Sequence, residues 1–244
     1  MKIHYGIDSF TADSSTVVTV GSFDGVHGGH AVLLGRLMAM AERLACQSVV
    51  VTFEPHPRIA MGRAEGMLLL TTIEERAHLL AQCGVDHLVV VHFDEAFRQQ
   101  SYEEFVRSLV AKMGMRGMVV GYNHRFGCGS QGRYESLQPV AGELGFEVEC
   151  VAQHTDAGDK VSSTVVRNLI AAGDAKRAVA MLGHPYIIIG MARERVVTID
   201  DDVKQLPCDG IYPAVVNGIA TEIAIDNRTI ILAARYDGRV VIEL

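Results

Sequence analysis

Short apolar runs alternate with longer amphipathic stretches along the first three quarters of the chain. We predict strands in the apolar runs, at 16–21, 48–53, 87–91, 118–121 and 146–151. The stretches between them repeat apolar residues at three- and four-residue steps, which predicts helices over 73–83, from 101 to about 114, and over 135–144. Alternating strands and helices indicate parallel strands joined by right-handed crossovers. The expected fold is α/β, with a Rossmann-like parallel sheet of about five strands and helices on both faces.

The pattern changes in the last quarter of the chain. Two short helices are predicted over 164–172 and 175–182, each ending at a glycine. Strands follow at 187–189, 211–216, 219–225, 229–233 and 240–244. Asn217-Gly218 and Asp237-Gly238 are dipeptides typical of tight hairpins. We therefore expect two domains, residues 1–184 and a small antiparallel β domain over residues 185–244.

Composition restricts the classes of partner. The formal net charge of −7 argues against a general nucleic-acid or anionic-membrane partner, so a phosphate site here must be positive locally. The first residues lack a signal-peptide run, and no segment approaches the roughly 18 continuous apolar residues of a membrane span. The 5 cysteines form no C-x-x-C pair, which is typical of reduced thiols in a cytoplasmic protein.

The richest chemistry follows the first long apolar run, in the segment Gly21-Ser22-Phe23-Asp24-Gly25-Val26-His27-Gly28-Gly29-His30. Helical spacing resumes directly after it, which places His27 and His30 at the start of a helix. Free backbone N–H groups and the positive end of the helix dipole lie there, and both favour a polyphosphate. Two histidines three apart are also a zinc pattern, but no third ligand stands at a recognisable spacing. A glycine-rich turn alone is a weak signal; its coincidence with Asp24 and two histidines favours phosphate binding.

The segment resembles the signature of the nucleotidylyltransferase superfamily, and more narrowly the FAD synthetase module of bacterial bifunctional riboflavin kinase/FAD synthetases. Further segments occur in the order of that family and extend the resemblance over about three quarters of the chain. They are Thr52-Phe53-Glu54-Pro55-His56-Pro57, Leu70-Thr71-Thr72, Gly121-Tyr122-Asn123-His124-Arg125-Phe126-Gly127 and Ser162-Ser163-Thr164-Val165-Val166-Arg167.

The resemblance implies transfer of AMP from ATP to FMN, which gives FAD and pyrophosphate. It assigns phosphate stabilisation to His27, His30 and Arg167. The expected ATP-binding residues are Gly21, Ser22, Phe23, Asp24, Gly25, Ser162, Ser163 and Thr164. The expected FMN-binding residues are Pro55, Pro57, Asn123, Arg125 and Phe126. Mg²⁺ is expected to arrive with the ATP phosphates and to need no protein ligand. ATP and FMN are thus the expected small-molecule partners.

Some of these assignments compete with plainer ones. Asp24 is expected to brace the turn or bind ribose. Alone, residues 162–167 would be an ordinary helix cap, made by Ser163 or Thr164, with a surface arginine; beside the histidine motif, a phosphate clamp is preferred. His124 stands where the family often has phenylalanine. The remaining histidines, among them His78, His87, His154 and His184, are expected to be structural or solvated.

The C-terminal part departs from the family. The kinase barrel carries a G-F-P-T-A-N segment that holds Mg²⁺ and ATP, and no such string follows Gly190. Residues 185–244 resemble a reduced relic of that barrel, so riboflavin kinase activity is expected to be absent. Two alternatives stay open: a nucleotidylyltransferase acting on another phosphorylated cofactor precursor, and a flavin- or nucleotide-binding regulatory protein with weak or no catalysis.

Overall fold

The chain forms two compact units in a computed structural model that describes residues 1–64, 66–152 and 162–244. The first unit comprises Met1–Phe23, Gly29–Glu65 and Leu79–His154. The second comprises Asp24–Gly28, Gly66–His78 and Thr155–Leu244. The second unit thus includes the two helices that precede residue 184. The predicted domain boundary between residues 184 and 185 stays a prediction.

The first unit contains a six-stranded parallel sheet. Its strands are β1 (Lys2–Tyr5), β2 (Thr16–Val20), β3 (Gln47–Glu54), β4 (His87–His92), β5 (Met115–Gly121) and β6 (Glu147–Val151). Their order is β1-β4-β3-β2-β5-β6, and every pairing is parallel. The α/β prediction is confirmed, with one strand more than the five expected. The additional strand, β1, has only four residues, three of them exposed, so it lacks an apolar run.

Six of the eight helices among the described residues follow the predicted spacing, and the two short helices Pro57–Ala60 and Glu95–Gln99 were not predicted. The helices are α1 (Gly28–Arg43), α2 (Pro57–Ala60), α3 (Ile73–Gln82), α4 (Glu95–Gln99), α5 (Tyr102–Met113), α6 (Tyr134–Leu144), α7 (Ser163–Ala171) and α8 (Ala175–Leu182), with short 3₁₀ turns at Ile7–Ser9 and Cys128–Ser130. Ser101 and Glu104 form a capping box at the start of α5. Left-handed Gly114, Gly145 and Gly183 end α5, α6 and α8.

Aliphatic side chains of the central strands form the core of the first unit. Val18, Val49 and Val89 are fully buried on three adjacent strands. They belong to one buried cluster with Phe105 and Leu109 on the apolar face of helix α5. Burying each such side chain contributes about 1.5–3 kcal/mol, so this sheet is a rigid support for the loops at its ends.

The second unit contains an antiparallel sheet of β7 (Ile187–Thr198), β8 (Gly210–Val216), β9 (Ile219–Asp226) and β10 (Thr229–Glu243). Strand β10 pairs with β9 through its first residues, with β8 through its last residues and with β7 along much of its length. The sheet therefore curls on itself. The predicted hairpin at Asn217-Gly218 is confirmed, because these two residues join Val216 to its partner Ile219.

The second predicted hairpin is wrong. Asp237 and Gly238 lie inside β10, opposite Arg193 and Ala192 of β7. The tight turn occurs instead at 227–228, which joins Asp226 to its partner Thr229 with positive φ at both central residues. A bulge-like shift of register precedes Tyr236. Pairing of β10 along its length thus overrides the local turn preference of Asp237-Gly238.

No helix among the described residues is both long and apolar enough to cross a membrane. All five cysteines are described, and each is a free thiol.

Candidate active site

In the first unit, the predicted binding residues lie at the carboxyl ends of three adjacent strands. Residues 21–23 follow β2, Pro55 and Pro57 follow β3, and residues 123–126 follow β5. The sheet order reverses direction at β2, whose neighbours are β3 on one side and β5 on the other. Open α/β sheets bind ligands in the crevice at such a switch point. These loops are therefore the candidate ligand site of the first unit.

The loop after β2 is held against β3. The backbone N of Gly21 donates to Val51 O at 3.0 Å, and the Thr52 hydroxyl donates to Ser22 O at 3.1 Å. Phe23 is buried with a positive φ of 48°, which is uncommon for a side chain of this size. Its ring centroid lies 4.9 Å from that of His30. Phe23 thus packs against the half-buried imidazole of His30.

The loop after β5 presents polar side chains on an apolar base. Phe126 is buried and meets Phe105 edge-on, with ring centroids 5.9 Å apart. Asn123 and Arg125 are exposed beside it. His124 stacks on Phe126 at 5.4 Å, and burial lowers its pKa to about 4, so its imidazole is neutral near pH 7. Phe126 belongs to the core, and its contact with flavin stays a prediction.

The loop after β3 is stiffened by its prolines. Pro55 and Pro57 are half-buried, and the His56 side chain between them is buried. Nδ1 of His56 accepts a hydrogen bond from the Arg58 backbone N at 3.1 Å and caps α2. Proline fixes φ on both sides of His56, so the backbone of this loop is rigid where β3 ends.

In the second unit, the turn of residues 24–28 (the Asp24 turn) is organised around a buried carboxylate. Oδ1 of Asp24 accepts from Thr71 N at 3.0 Å and from the Thr71 hydroxyl at 3.3 Å. Oδ2 of Asp24 lies 3.4 Å from Nη2 of Arg167. Asp24 is only 1% exposed, so it braces the turn, one of its two expected roles, by hydrogen bonds and an ion pair within this unit.

Gly25 allows the chain to pass close to Leu70. Its φ is +82°, and a Cβ atom there would lie 2.7 Å from Cδ1 of Leu70. Its N donates to the Thr71 hydroxyl at 3.1 Å, and its O lies 3.0 Å from Nε2 of His184. The next residue, Val26, has φ 42°, an outlier for a β-branched side chain. Strain of this kind is typical of functional loops held by their surroundings.

His27 is half-buried at the end of this turn, directly before α1. Burial lowers the pKa of its imidazole to about 4, and the nearby His184 adds to the effect, whereas Asp24 opposes it. The imidazole is therefore neutral near pH 7 before any ligand binds, and it offers one N–H donor. A bound polyphosphate would raise its pKa, because an adjacent anion favours the charged form.

The segment 162–167 begins α7, but its cap differs from the prediction. Ser162 is the N-cap and accepts from Val165 N, whereas Ser163 or Thr164 was expected in that role. The Ser163 hydroxyl donates to the backbone O of Asp24 at 2.9 Å, and Thr164 is exposed. Neither α1 nor α7 has an acidic residue in its first turn. The positive end of each helix dipole is therefore available to an anion.

Arg167 lies one turn into α7 with its side chain only 13% exposed. It pairs with Asp24, and its Nε atom has no hydrogen-bond partner among the described residues. A guanidinium has five N–H donors in a planar fork. Arg167 can therefore keep Asp24 as one partner and present another edge to a phosphate.

Two residues of this cluster lay outside the predicted site. Thr71 belongs to a segment that carried the family resemblance, but no role was assigned to it. His184 was expected to be structural or solvated, and it contacts Gly25 O. The Leu70-Thr71-Thr72 segment was a signal for Thr71 but not for its contact with Asp24, and His184 carried no signal, because both are remote in sequence from the Asp24 turn. His87 is structural in the first unit, where Nδ1 lies 3.0 Å from Nε2 of the buried His4. His154 lies outside the described residues.

The described residues contain no group of three or more His, Cys, Asp or Glu side chains arranged to hold a metal ion.

The six-stranded parallel sheet, with helices between its strands, gives the first unit an α/β, Rossmann-like fold. The chain matches the family model described as FAD synthetase over residues 9–165, and it belongs to that family. A bifunctional riboflavin kinase/FMN adenylyltransferase from Escherichia coli K12 is 33% identical over 193 residues, which cover 78% of this chain and 62% of the relative. One from Pseudomonas fluorescens is 38% identical over 207 residues, which cover 80% of this chain and 66% of the relative. The chain thus spans less than two thirds of either relative.

A solved structure titled as a macrolide-efflux protein from Streptococcus pneumoniae has a TM-score of 0.84 over 100% of this chain and 89% of its own, at 24% identity. At that identity the likeness shows a shared fold and nothing about activity.

Proposed function

We propose that this protein is an FMN adenylyltransferase that makes FAD and pyrophosphate from ATP and FMN, and that it does not phosphorylate riboflavin. Membership of the FAD synthetase family, with the match over residues 9–165, is the observation that carries the proposal. The position of residues 123–126 beside the β2 loop at the switch point supports FMN, rather than another phosphorylated precursor, as the acceptor.

In the proposed reaction, a phosphate oxygen of FMN attacks the α-phosphorus of ATP. The new P–O bond forms as the bond to the β-phosphate oxygen breaks, and pyrophosphate leaves with the electron pair. The nucleophile is already an anion, so no side chain has to remove a proton from it. Catalysis rests on positioning and on stabilising the negative charge that develops on the phosphate oxygens.

We assign that stabilisation to His27, His30, Arg167 and the free N–H groups at the starts of α1 and α7. His27 acts first as a neutral hydrogen-bond donor, because its pKa is lowered to about 4 in the free protein. Arg167 supplies positive charge whatever the pH. Mg²⁺ bound to ATP neutralises part of the polyphosphate charge.

The decisive assay incubates the purified protein with ATP, Mg²⁺ and FMN and separates the flavins by chromatography. We expect FAD and pyrophosphate in equal amounts, with none formed when ATP is omitted. The same assay with nicotinate mononucleotide or 4′-phosphopantetheine in place of FMN tests another acceptor. No transfer to any acceptor, with FMN still bound, would instead indicate a regulatory flavin-binding protein.

A further inference from the structure

A buried ion pair in the second unit lies outside the residues assigned to substrates. Nζ of Lys204 lies 2.7 Å from Oε2 of Glu75, and both side chains are fully buried. Lys204 comes from the connection between β7 and β8, and Glu75 from the first turn of α3. Removing two charges from water costs free energy, so a buried ion pair often adds little to the stability of the fold. The role of this pair is therefore sought in the groups that it holds in place.

The pair holds one short stretch of backbone. Nζ of Lys204 also donates to Leu70 O at 2.6 Å and to Ile187 O at 2.9 Å. These bonds use all three N–H donors of the ammonium group. Leu69 N donates to Val203 O at 2.6 Å on the same stretch. The backbone directly before Thr71 is therefore fixed by the C-terminal part of the chain.

Thr71 connects this fixed stretch of backbone to the Asp24 turn by hydrogen bonds. Its N and its hydroxyl both donate to Oδ1 of Asp24, and the same hydroxyl accepts from Gly25 N. Its carbonyl accepts from Nη2 of the buried Arg76 at 3.3 Å. Thr71 thus uses every polar atom it has, and three of these bonds go to the Asp24 turn.

We propose that Thr71, held by the Lys204–Glu75 pair, is a positioning residue that sets the orientation of Arg167 through Asp24. One carboxylate oxygen of Asp24 is fixed by Thr71, so the other has a defined direction toward Nη2 of Arg167. The orientation of the planar guanidinium then follows from that ion pair. The proposal rests on the proposed function and adds to it a role for Lys204, from the C-terminal part of the chain, in ATP binding.

Thr71→Val is the direct test, because valine keeps the shape and removes only the hydroxyl. Oδ1 of Asp24 then keeps only its bond from Thr71 N, which fixes the carboxylate less firmly, and Gly25 N loses its acceptor. We expect KM for ATP to rise about tenfold, which is the size of effect expected when one hydrogen bond to ATP is lost. KM for FMN should stay within about twofold. Thr71→Ser retains the hydroxyl and should keep KM for ATP near that of the unmodified protein.

A double-mutant cycle with Arg167→Ala tests whether Thr71 acts through the arginine. If it does, Thr71→Val should change KM for ATP little once Arg167 is absent, because the two effects are then not additive. Equal effects of Thr71→Val with and without Arg167 would overturn the proposal, since a merely structural residue would give additive effects.

The role of the buried ion pair is tested with the double variant Lys204→Met/Glu75→Gln, which removes both buried charges together. We expect KM for ATP to rise and KM for FMN to stay unchanged. The matched control is Tyr186→Phe, which removes another buried hydrogen bond of this region, from the Tyr186 hydroxyl to Gln205 O at 2.6 Å. Tyr186→Phe should lower the melting temperature without changing KM for ATP.

Failure of the positioning role and failure of the proposed function give different results. FAD formation by the unmodified protein with KM for ATP unchanged in Thr71→Val and in Lys204→Met/Glu75→Gln overturns the positioning role alone. If Thr71→Val does not fold, KM for ATP of Lys204→Met/Glu75→Gln alone decides: an unchanged value overturns the positioning role. If the unmodified protein forms no FAD, the proposed function fails, and calorimetry of MgATP binding to the same variants still tests the positioning role.

Discussion

At the scale of single residues, the Asp24 turn combines strain with a dense set of polar contacts. Val26 has a positive φ that its β-branched side chain disfavours, and Gly25 passes Leu70 at a distance that only glycine allows. Thr71, Ser163 and His184 each contact this turn through a hydrogen bond. Contacts of this kind hold the turn in one conformation in the absence of a ligand, so a ligand that binds there would spend little free energy on ordering it.

His27→Ala and His30→Ala should each lower the rate of adenylyl transfer by about 10²–10³-fold, the effect of losing one preorganised donor to developing charge. FMN binding, followed by flavin fluorescence, should change little. Melting curves of both variants control for loss of the fold. A rate within about threefold of the unmodified protein would remove that histidine from the mechanism.

Arg167→Ala should raise KM for ATP and slow transfer, because its proposed phosphate partners belong to ATP. Arg167→Lys should restore activity only in part, since an ammonium cannot make the bidentate contact of a guanidinium. The alanine variant also leaves the buried Asp24 carboxylate without its cation, which should cost about 3 kcal/mol of stability in urea unfolding. Full activity of the lysine variant would make Arg167 a source of charge only.

His124 should make the folded state sensitive to acid. Its pKa is about 4 when folded and 6.5 when exposed, so between these values the unfolded chain binds more protons. Stability contributed by the neutral imidazole is therefore complete above pH 6.5 and lost as the pH falls toward 4. We expect His124→Phe to reduce the loss of unfolding free energy between pH 7 and pH 5 by about 2 kcal/mol.

Urea titrations at the two pH values measure this difference. His92→Gln, at the exposed end of β4, is the control for replacing a histidine as such. An identical loss of unfolding free energy in His124→Phe and in the unmodified protein would show that the imidazole of His124 is not desolvated in solution.

At the scale of secondary-structure elements, the sequence predicted most helices and strands because their signals are local. The capping box at Ser101 and the glycines after α5, α6 and α8 act within a few residues. The errors arose where pairing partners are distant. The hairpin at Asp237-Gly238 was predicted from a dipeptide, but those residues pair with β7, some 45 positions earlier. The turn at 227–228 has no glycine and therefore carried no signal.

The loop after β5 gives a prediction at this scale. Gly127 has φ +73°, and a Cβ atom there would lie 2.7 Å from the backbone N of Tyr102 at the start of α5. Gly129 has φ +64°, but the nearest atoms to its Cβ belong to a flexible side chain at 3.5 Å. Gly127→Ala should therefore destabilise the protein by about 2 kcal/mol or more and raise KM for FMN. Gly129→Ala should cost only about 1 kcal/mol, for the backbone conformation.

Urea unfolding and KM for FMN measure both effects. Similar values for the two alanine variants would mean that the contact between this loop and α5 does not hold the loop in place.

At the scale of the whole molecule, the second unit could not be predicted from sequence because it is discontinuous. It combines Asp24–Gly28, Gly66–His78 and the C-terminal part from Thr155 onward. Asp24, Thr71 and Arg167 meet there. Almost 50 residues separate Asp24 from Thr71 along the chain, and almost 100 separate Thr71 from Arg167. Motifs identified each segment separately. Only the fold shows that the aspartate of the first motif is the ion-pair partner of the arginine of the last.

The same part of the molecule gives the final prediction, that the protein does not convert riboflavin to FMN. Phosphoryl transfer requires Mg²⁺ fixed against the nucleotide phosphates, and the threonine and asparagine of the G-F-P-T-A-N segment have no counterpart after Gly190 in this sequence. The connection between β7 and β8 carries instead the fully buried Lys204, whose three donors are bound to Glu75, Leu70 O and Ile187 O. Incubation with riboflavin, ATP and Mg²⁺ should therefore yield no FMN, whereas FMN in the same preparation should yield FAD. FMN formed from riboflavin, in protein purified from a host whose own kinase is removed, would show that the curled sheet of β7–β10 retains a phosphoryl-transfer site of a different construction.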